Sequence, residues 1–345
     1  MEQNQVAGTD LPGAHPRTRS MHRRGFLELT AAGALVAATP SIARASRRGP
    51  AGPLVLATAD DEASVVVLDL ATGALRTRIG TSTGPSSIET VGGGTVALVG
   101  HADAGVISLI DIASLRVTHE LGGFGEPRYA AAGPGGRYAY VTDAERGELI
   151  VLDLPRGRVV DRVHAGALAR HLTISPDGRT LFAALGPKAS AVAVLDATDP
   201  RHPRLVRTLA PLDLAHDVVV SADGARLWVT SGTTHRIAVH DVRTLRPIAR
   251  LAAGSPPQHV AMGGNRVFVT SGADGRMRTH RADGHLLRTT HIPLDSYNVT
   301  CAFGRVVTPS LILGTVTTLG STGAFIRRER VTRAAHDACI VRPPP

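Results

Sequence analysis

One short pattern returns along the sequence at a nearly constant interval: an apolar run that ends in Asp. The first four intervals are 42, 42, 43 and 45 residues, and the run ends at Asp69, Asp111, Asp153, Asp196 and Asp241. Weaker copies end at Arg281 and Gly320, after 40 and 39 residues. A period of about 40–45 residues is that of a four-stranded propeller blade. The seven copies therefore predict an all-β fold, a seven-bladed β-propeller with four-stranded blades.

The other strands of each unit follow in a fixed order. Residues 226–232, Arg-Leu-Trp-Val-Thr-Ser-Gly, combine apolar and polar side chains in a short run that predicts a strand. Turns such as Pro176-Asp177-Gly178 precede these strands and predict hairpins, because Gly and Asp readily adopt the backbone conformations of tight turns. The recurrent Asp at the end of each run is expected to cap the amides of the next turn rather than to bind calcium. With only 3% aromatic residues, the core must come from Val, Leu, Ile and Ala.

The two ends of the repeat region complete each other. Residues 54–58 match the second strand of a blade, and residues 335–341 match a first strand. We therefore expect the last blade to be closed by both termini, with its inner strand from the C-terminus and three strands from residues 53–80. Such closure leaves no open sheet edge.

These repeats resemble the YVTN-type β-propeller family. Tyr140-Val141-Thr142-Asp143 is close to the motif that names the family, and residues 175–181, Ser-Pro-Asp-Gly-Arg-Thr-Leu, are close to its hairpin. The resemblance covers residues 52–345 and implies the fold rather than the chemistry. Similar propellers serve as lactonases, lyases, metal proteins and binding platforms.

The first 45 residues have the parts of an export signal. Arg23 and Arg24 precede a mildly apolar stretch, and Ala43 and Ala45 form a cleavage site after Ala45. Residues 23–27, Arg-Arg-Gly-Phe-Leu, resemble a twin-arginine signal, which implies an extracellular or cell-envelope protein. The stretch is too short for a stable membrane anchor. A linker over 46–52 and a single propeller domain over 53–345 are expected to follow.

Charge and cysteine content exclude several classes of function. The net charge is +9, but the arginines are spread along the chain with no basic run, so no nucleic-acid partner is expected. A monomer that binds a small molecule or a metal ion is the prediction. Cys301 and Cys339 occupy the same position of adjacent inner strands, where their Cβ atoms should not face each other. We expect two buried thiols.

Polar side chains mark the start of every inner strand, where the central channel of a propeller opens. The seven starts are Ser86-Ser87, Arg128-Tyr129, Arg170-His171, His216-Asp217, Gln258-His259, Tyr297-Asn298 and His336-Asp337. Loops on the same face add Asp103 and Asp143. By contrast, His240 and His280 lie at strand ends on the opposite face and are expected at the surface, while Trp228 is expected to pack inside.

Four histidines at these starts predict a metal site. Imidazole suits Zn and Cu, and several blades can converge on one ion without any local motif. The predicted ligands are His171, His216, His259 and His336, with possible additions from the loops at His101 and His235. Propellers that hold copper through a ring of histidines, such as nitrous oxide reductase, resemble this arrangement. Its reductase activity is not implied, because the full histidine set is missing.

Three other interpretations of the channel stay open. An organic ligand would contact Arg128, Arg170, Asp217, Gln258, Tyr297, Asn298 and Asp337. The second interpretation is an enzyme, which by resemblance to similar propellers would be a metal-assisted lyase or lactonase with a divalent cation. It would use His216 or His336 as base and Arg128 and Arg170 as catalytic cations. Adjacent strand residues face opposite ways, so a His-Asp pair acts together only if a bulge intervenes. A non-catalytic binding platform, with ordered water in its channel, is the third alternative.

Overall fold

The computed structural model describes residues 52–345. The predicted export signal at 1–45 and most of the linker at 46–52 lie outside the described residues, so both stay predictions. Within the described part of the chain, no helix is long and apolar enough to cross a membrane. The described residues form a seven-bladed β-propeller with four antiparallel strands in each blade.

The chain enters the ring through three strands that belong to its last blade. These strands are β1 (Leu54–Ala59), β2 (Ser64–Asp69) and β3 (Leu75–Gly80). Blades 1 to 3 follow with β4 (Ser87–Val91), β5 (Val96–His101), β6 (Val106–Asp111), β7 (Arg116–Leu121), β8 (Pro127–Ala132), β9 (Tyr138–Asp143), β10 (Glu148–Asp153), β11 (Arg158–His164), β12 (Ala169–Ile174), β13 (Thr180–Leu185), β14 (Val192–Asp196) and β15 (Arg204–Leu209).

Blades 4 to 6 repeat the same order from the central channel outward. Their strands are β16 (Ala215–Val220), β17 (Arg226–Ser231), β18 (Arg236–Asp241), β19 (Pro247–Ala252), β20 (Val260–Gly263), β21 (Arg266–Ser271), β22 (Arg276–Arg281), β23 (Leu286–His291), β24 (Thr300–Ala302), β25 (Arg305–Ser310), β26 (Thr315–Gly320) and β27 (Phe325–Arg330). Short 3-10 turns connect some strands, at Asp60–Glu62, Gly92–Gly94, Pro134–Gly136, Leu154–Arg156 and Gly272–Asp274.

The final strand, β28 (Ala338–Val341), closes the ring. It pairs antiparallel with β1, from Leu54 opposite Val341 to Ala57 opposite Ala338, and so forms the inner strand of blade 7. The predicted closure by both termini is confirmed. Because the chain ends meet in one sheet, residues far apart in sequence hold the ring together.

The core lies between adjacent blades and is built from small and branched side chains. Between blades 7 and 1, for example, Leu56 and Val67 pack against Ile88 and Ile110. The largest fully buried side chains include Trp228, as expected, and three further aromatic residues, Tyr140, Phe182 and Phe268. Stacked sheets rich in Val, Leu, Ile and Ala therefore form a core with few aromatic rings.

The turn predictions are confirmed by their hydrogen bonds. Asp69 accepts hydrogen bonds from the backbone N–H and the hydroxyl of Thr72, at 2.8 and 2.9 Å. Asp111 binds Ser114 in the same way. Gly178 has a φ of 72°, and a Cβ there would lie 2.8 Å from Cγ of Pro134 on the neighbouring blade. The turn therefore needs glycine for both its backbone conformation and the close approach of two blades.

One expectation about histidines is wrong. His240 and His280 are only 1% exposed, whereas the sequence suggested surface positions. Each lies on the third strand of its blade with Nδ1 near a carbonyl of the following turn: 3.1 Å from Leu245 O and 3.2 Å from Gly284 O. The carbonyl groups of these turns, rather than water, are therefore the partners of the two Nδ1 atoms. Cys301 and Cys339 are both free, as expected, but the expectation of two buried thiols at equivalent positions is wrong. Cys339 is buried between blades 7 and 1, whereas Cys301 is partly exposed and packs between blades 5 and 6.

Candidate metal centre

The inner strands begin at one mouth of the channel, and the second residue of each predicted pair is buried there. This inner ring consists of Ser87, Tyr129, His171, Asp217, His259, Asn298 and Asp337. The first residues of the pairs are partly exposed and form an outer ring, Ser86, Arg128, Arg170, His216, Gln258, Tyr297 and His336. The repeat thus places two layers of polar side chains at the channel mouth.

Bulges at the mouth remove the expected alternation of side chains in three blades. The pairing with the second strand jumps from Pro127 to Ala130 in β8, from Ala169 to Leu172 in β12, and from Ala215 to Val218 in β16. The residues between these points are left out of the ladder, as in a β-bulge. The condition under which His216 and Asp217 can serve the same site is therefore met.

Three of the predicted histidines form a cluster. Candidate ligand atoms of His171, His216 and His259 all lie within 4.8 Å of one another. The ring centroid of His171 lies 4.9 Å from that of His216 and 4.5 Å from that of His259. Each histidine comes from a different one of the consecutive blades 3, 4 and 5, so the ring, and no local motif, brings them together.

The Nδ1 atom of each clustered histidine faces an acceptor. Asp217 places one carboxylate oxygen 3.5 Å from His171 Nδ1 and the other 3.4 Å from His259 Nδ1. His216 Nδ1 lies 2.9 Å from the carbonyl of Pro187. Such contacts favour a proton on Nδ1 and leave Nε2 as the free ligand atom. The Nε2 of His171 is buried and has no hydrogen-bond partner.

Burial keeps these imidazoles neutral at pH 7. It is the main cause that lowers the pKa of His171 and of His259 well below the usual range, and neighbouring positive groups add to the effect. Burial also lowers the pKa of His216 to about 4. Since a neutral imidazole is the form that binds metal, the cluster needs no proton release at neutral pH to act as a ligand set.

Tyr129 and two arginines surround the cluster. The Tyr129 ring stacks on His171 with centroids 4.0 Å apart, and burial raises the pKa of its hydroxyl, which therefore stays protonated. Arg128 pairs with Glu126. Arg170 has no carboxylate partner among the described residues, and its Nε is buried without a hydrogen-bond partner.

Three other predicted ligands lie outside the cluster. His336 places Nδ1 3.4 Å from a carboxylate oxygen of Asp60. His101 is fully buried and uses both ring nitrogens, at 3.2 Å from Thr83 O and 2.9 Å from Ser108 Oγ. His235 contacts the carbonyl of Gly254 through Nδ1. Each of these three imidazoles already contacts another polar group. Of the six histidines predicted as ligands, three therefore form the cluster.

Several of the predicted ligand-binding residues instead form hydrogen bonds within the propeller. Asp337 accepts amide hydrogens from Ala338 and, on blade 1, from Ile88 at 2.8 and 2.9 Å. Asn298 donates from Nδ2 to the carbonyl of His336 at 2.9 Å, and the Tyr297 hydroxyl donates to Asp295 at 2.5 Å. The described contacts of the Gln258 side chain include no hydrogen bond.

In three blades, a threonine on the second strand donates a hydrogen bond to the backbone of a residue at the channel mouth. Thr142 donates its hydroxyl to the carbonyl of Arg170 on the next blade at 2.5 Å. Thr230 does the same to Gln258 at 2.8 Å, and Thr270 to Tyr297. The Thr of the Tyr-Val-Thr motif and of its copies therefore positions mouth residues of the neighbouring blade.

One acidic residue in the channel, Glu89, was not predicted from the sequence. A cavity of about 300 Å³ lies below the inner ring and is lined in part by Glu89, His171, Asp217 and Asp337. Burial is the main cause that raises the pKa of Glu89 well above its usual range, and Asp337 and Asp217 raise it further. Glu89 is the one acidic residue of its inner strand, β4, and this was the available signal, because the other inner strands carry small or apolar side chains at this depth.

Comparison with known proteins supports the fold. No protein-family model and no curated protein matches the sequence. Kuenenia stuttgartiensis hydrazine synthase shares 17% identity and a TM-score of 0.68, over 82% of this chain and 99% of that one. Apo AztD from Citrobacter koseri shares 12% identity and a TM-score of 0.66, over 85% and 99%. A protein of unknown function from Desulfotomaculum acetoxidans shares 12% identity and a TM-score of 0.61, over 71% and 86%. At these identities the likeness concerns the β-propeller fold alone.

Proposed function

We propose that this propeller binds one transition-metal ion, Zn²⁺ or Cu²⁺, through His171, His216 and His259 at the mouth of its channel. The observation that carries the proposal is the convergence of three neutral imidazoles whose Nδ1 atoms already face acceptors. Metal-binding histidines in proteins have this same arrangement, with the second ring nitrogen held by a carboxylate or carbonyl.

The spacing of the three rings suits an ion after a small contraction. A tetrahedral ion with metal–nitrogen bonds of about 2.0–2.1 Å holds its ligand atoms about 3.3 Å apart. The candidate atoms lie within 4.8 Å, so binding would draw the rings inward. Three protein ligands leave one coordination position open, as in catalytic rather than structural zinc sites.

Metal content of the natively exported protein tests the proposal. We expect close to one equivalent of Zn or Cu per chain, and loss of most of it in His259→Ala. The matched control is His291→Ala, which removes an exposed histidine from the outer strand β23. Metal at a small fraction of one equivalent, or equal metal in all three proteins, would overturn the proposed site.

A metal-assisted lyase or lactonase is the second candidate for the same channel. The open coordination position favours it, as does the bulge that lets His216 and Asp217 serve one site. The resemblance to YVTN-type propellers is compatible with both candidates. Lactone hydrolysis by the metal-loaded protein that disappears in His259→Ala would favour the enzyme, and no turnover of lactones would favour a metal-binding protein.

The cellular setting is part of the proposal. The twin-arginine-like sequence at residues 23–27 supports export to the extracellular space or cell envelope. We expect a monomer that takes a metal ion or small molecule as its partner and has no stable membrane anchor. Fractionation of cells expressing the full chain, with Arg23 and Arg24 replaced by Lys as a control, tests the route.

A further inference from the structure

Of the two arginines at the channel mouth, Arg170 alone has no carboxylate partner among the described residues. Arg128 pairs with Glu126, and on the opposite side of the mouth His336 faces Asp60. The Nε atoms of both arginines are buried without a hydrogen-bond partner, so the missing carboxylate is what distinguishes Arg170. A partly buried guanidinium without a counter-charge is costly, so such a group is usually compensated by an anion.

The position of Arg170 connects it to the histidine cluster. It precedes His171 in the bulge of β12, and the hydroxyl of Thr142 holds its backbone carbonyl. Arg170 therefore lies in the outer ring of the mouth, directly beside the inner-ring ligand His171.

A divalent ion in the site would add positive charge beside Arg170. Three neutral imidazoles add no charge to a divalent ion, and Asp217 is the carboxylate that contacts two of these rings. The ion and Arg170 together then exceed the charge of Asp217 by two. A fourth ligand that is an anionic oxygen would reduce this excess and fill the open coordination position.

We propose that the metal centre takes a small carboxylate as its fourth ligand, with one oxygen on the ion and the carboxylate paired to Arg170. This inference rests on the proposed metal site. A guanidinium fork binds a planar carboxylate through two parallel hydrogen bonds. The ligand class is therefore a small carboxylic acid.

The test uses the propeller loaded with Co²⁺, whose visible absorption reports its ligands, and acetate as the probe. We expect acetate to change the spectrum, and Arg170→Gln to weaken acetate binding about 10-fold or more because a charge-assisted pair is lost. Arg170→Lys keeps the charge without the fork and should bind acetate with intermediate strength. Arg330→Gln, on the exposed outer strand β27, is the matched control and should bind as the wild type does.

Each outcome separates the two proposals. No binding of Co²⁺ to the wild type overturns the metal site and the co-ligand with it. Binding of Co²⁺ with equal acetate affinity in the wild type and Arg170→Gln overturns the co-ligand alone. Tighter binding of inorganic phosphate than of acetate overturns the carboxylate assignment. If Arg170→Gln does not fold, the Arg170→Lys protein decides: acetate affinity equal to the wild type contradicts the inference.

Discussion

The carboxylate of Asp217 lies 3.4 Å from Nδ1 of His259, a residue of the neighbouring blade. Its other oxygen lies 3.5 Å from Nδ1 of His171. The same carboxylate accepts the amide hydrogens of Val218 and Val260, at 2.7 and 3.0 Å. One side chain thus joins two blades and orients two of the three clustered histidines.

Asp217→Asn should weaken metal binding about 10- to 100-fold, because the variant no longer holds both imidazoles with Nε2 free. Asp337→Asn is the matched control. Asp337 also accepts one amide hydrogen from the next residue and one from the next blade, but its carboxylate lies outside the histidine cluster. Competition with a chelator measures both affinities. An equal loss in the two variants would mean that Asp217 acts only through the blade contact.

Thr142→Val should lower the free energy of unfolding by about 1–2 kcal/mol, because a buried hydroxyl that donates to the Arg170 carbonyl is lost. Denaturant unfolding measures the change. Thr77→Val, on the exposed outer strand β3, is the control and should leave stability within about 0.5 kcal/mol. Equal stability of the two variants would show that the hydroxyl contact between blades contributes nothing.

Acidification should destabilise blade 7, because it protonates Asp69. The hydrogen bond from Arg76, followed by those from Thr72, lowers the pKa of Asp69, against an opposing effect of burial. Because the folded pKa is below the unfolded value of about 3.9, this contribution is complete above that pH and is lost as pH falls through the folded pKa.

The pH dependence of the stability of Asp69→Asn tests the direction of this effect. The stability difference between the wild type and the variant should be largest at neutral pH and shrink as the pH falls below about 4 and the carboxylate becomes protonated. Thermal unfolding at a series of pH values measures it. A difference that grows on acidification would contradict the assignment.

Removal of residues 336–345 should unfold the whole ring, because it deletes β28, the inner strand of blade 7. Removal of residues 342–345 alone leaves this strand complete and should be tolerated. Circular dichroism and thermal unfolding distinguish the two. Unchanged melting of the shorter protein would contradict closure by both termini.

The fold was predictable because each blade repeats the same information. The interval between Asp69, Asp111 and Asp153 gave the period, and hairpin turns such as that at Gly178 gave the strand order. Closure by β1 and β28 followed from counting strands. Local hydrogen bonds explain why the Asp prediction was also right.

The composition of the site was only partly predictable. His171, His216 and His259 were candidates because of their place in the repeat, but the sequence could not show that His336 faces Asp60 or that His101 is engaged by Ser108. Those contacts depend on side-chain packing. The bulges of β8, β12 and β16 have no turn residue that marks them in the sequence, so the break in strand pairing at His216 and Asp217 was also hidden.

The metal environment is tested most directly by X-ray absorption of the protein loaded with one equivalent of Zn²⁺. We expect a first shell at about 2.0–2.1 Å with the outer-shell scattering of three imidazoles. We also expect that His259→Ala loses this signature while His291→Ala keeps it. A shell of oxygen ligands without imidazole scattering, or the same spectrum in both variants, would contradict the histidine site.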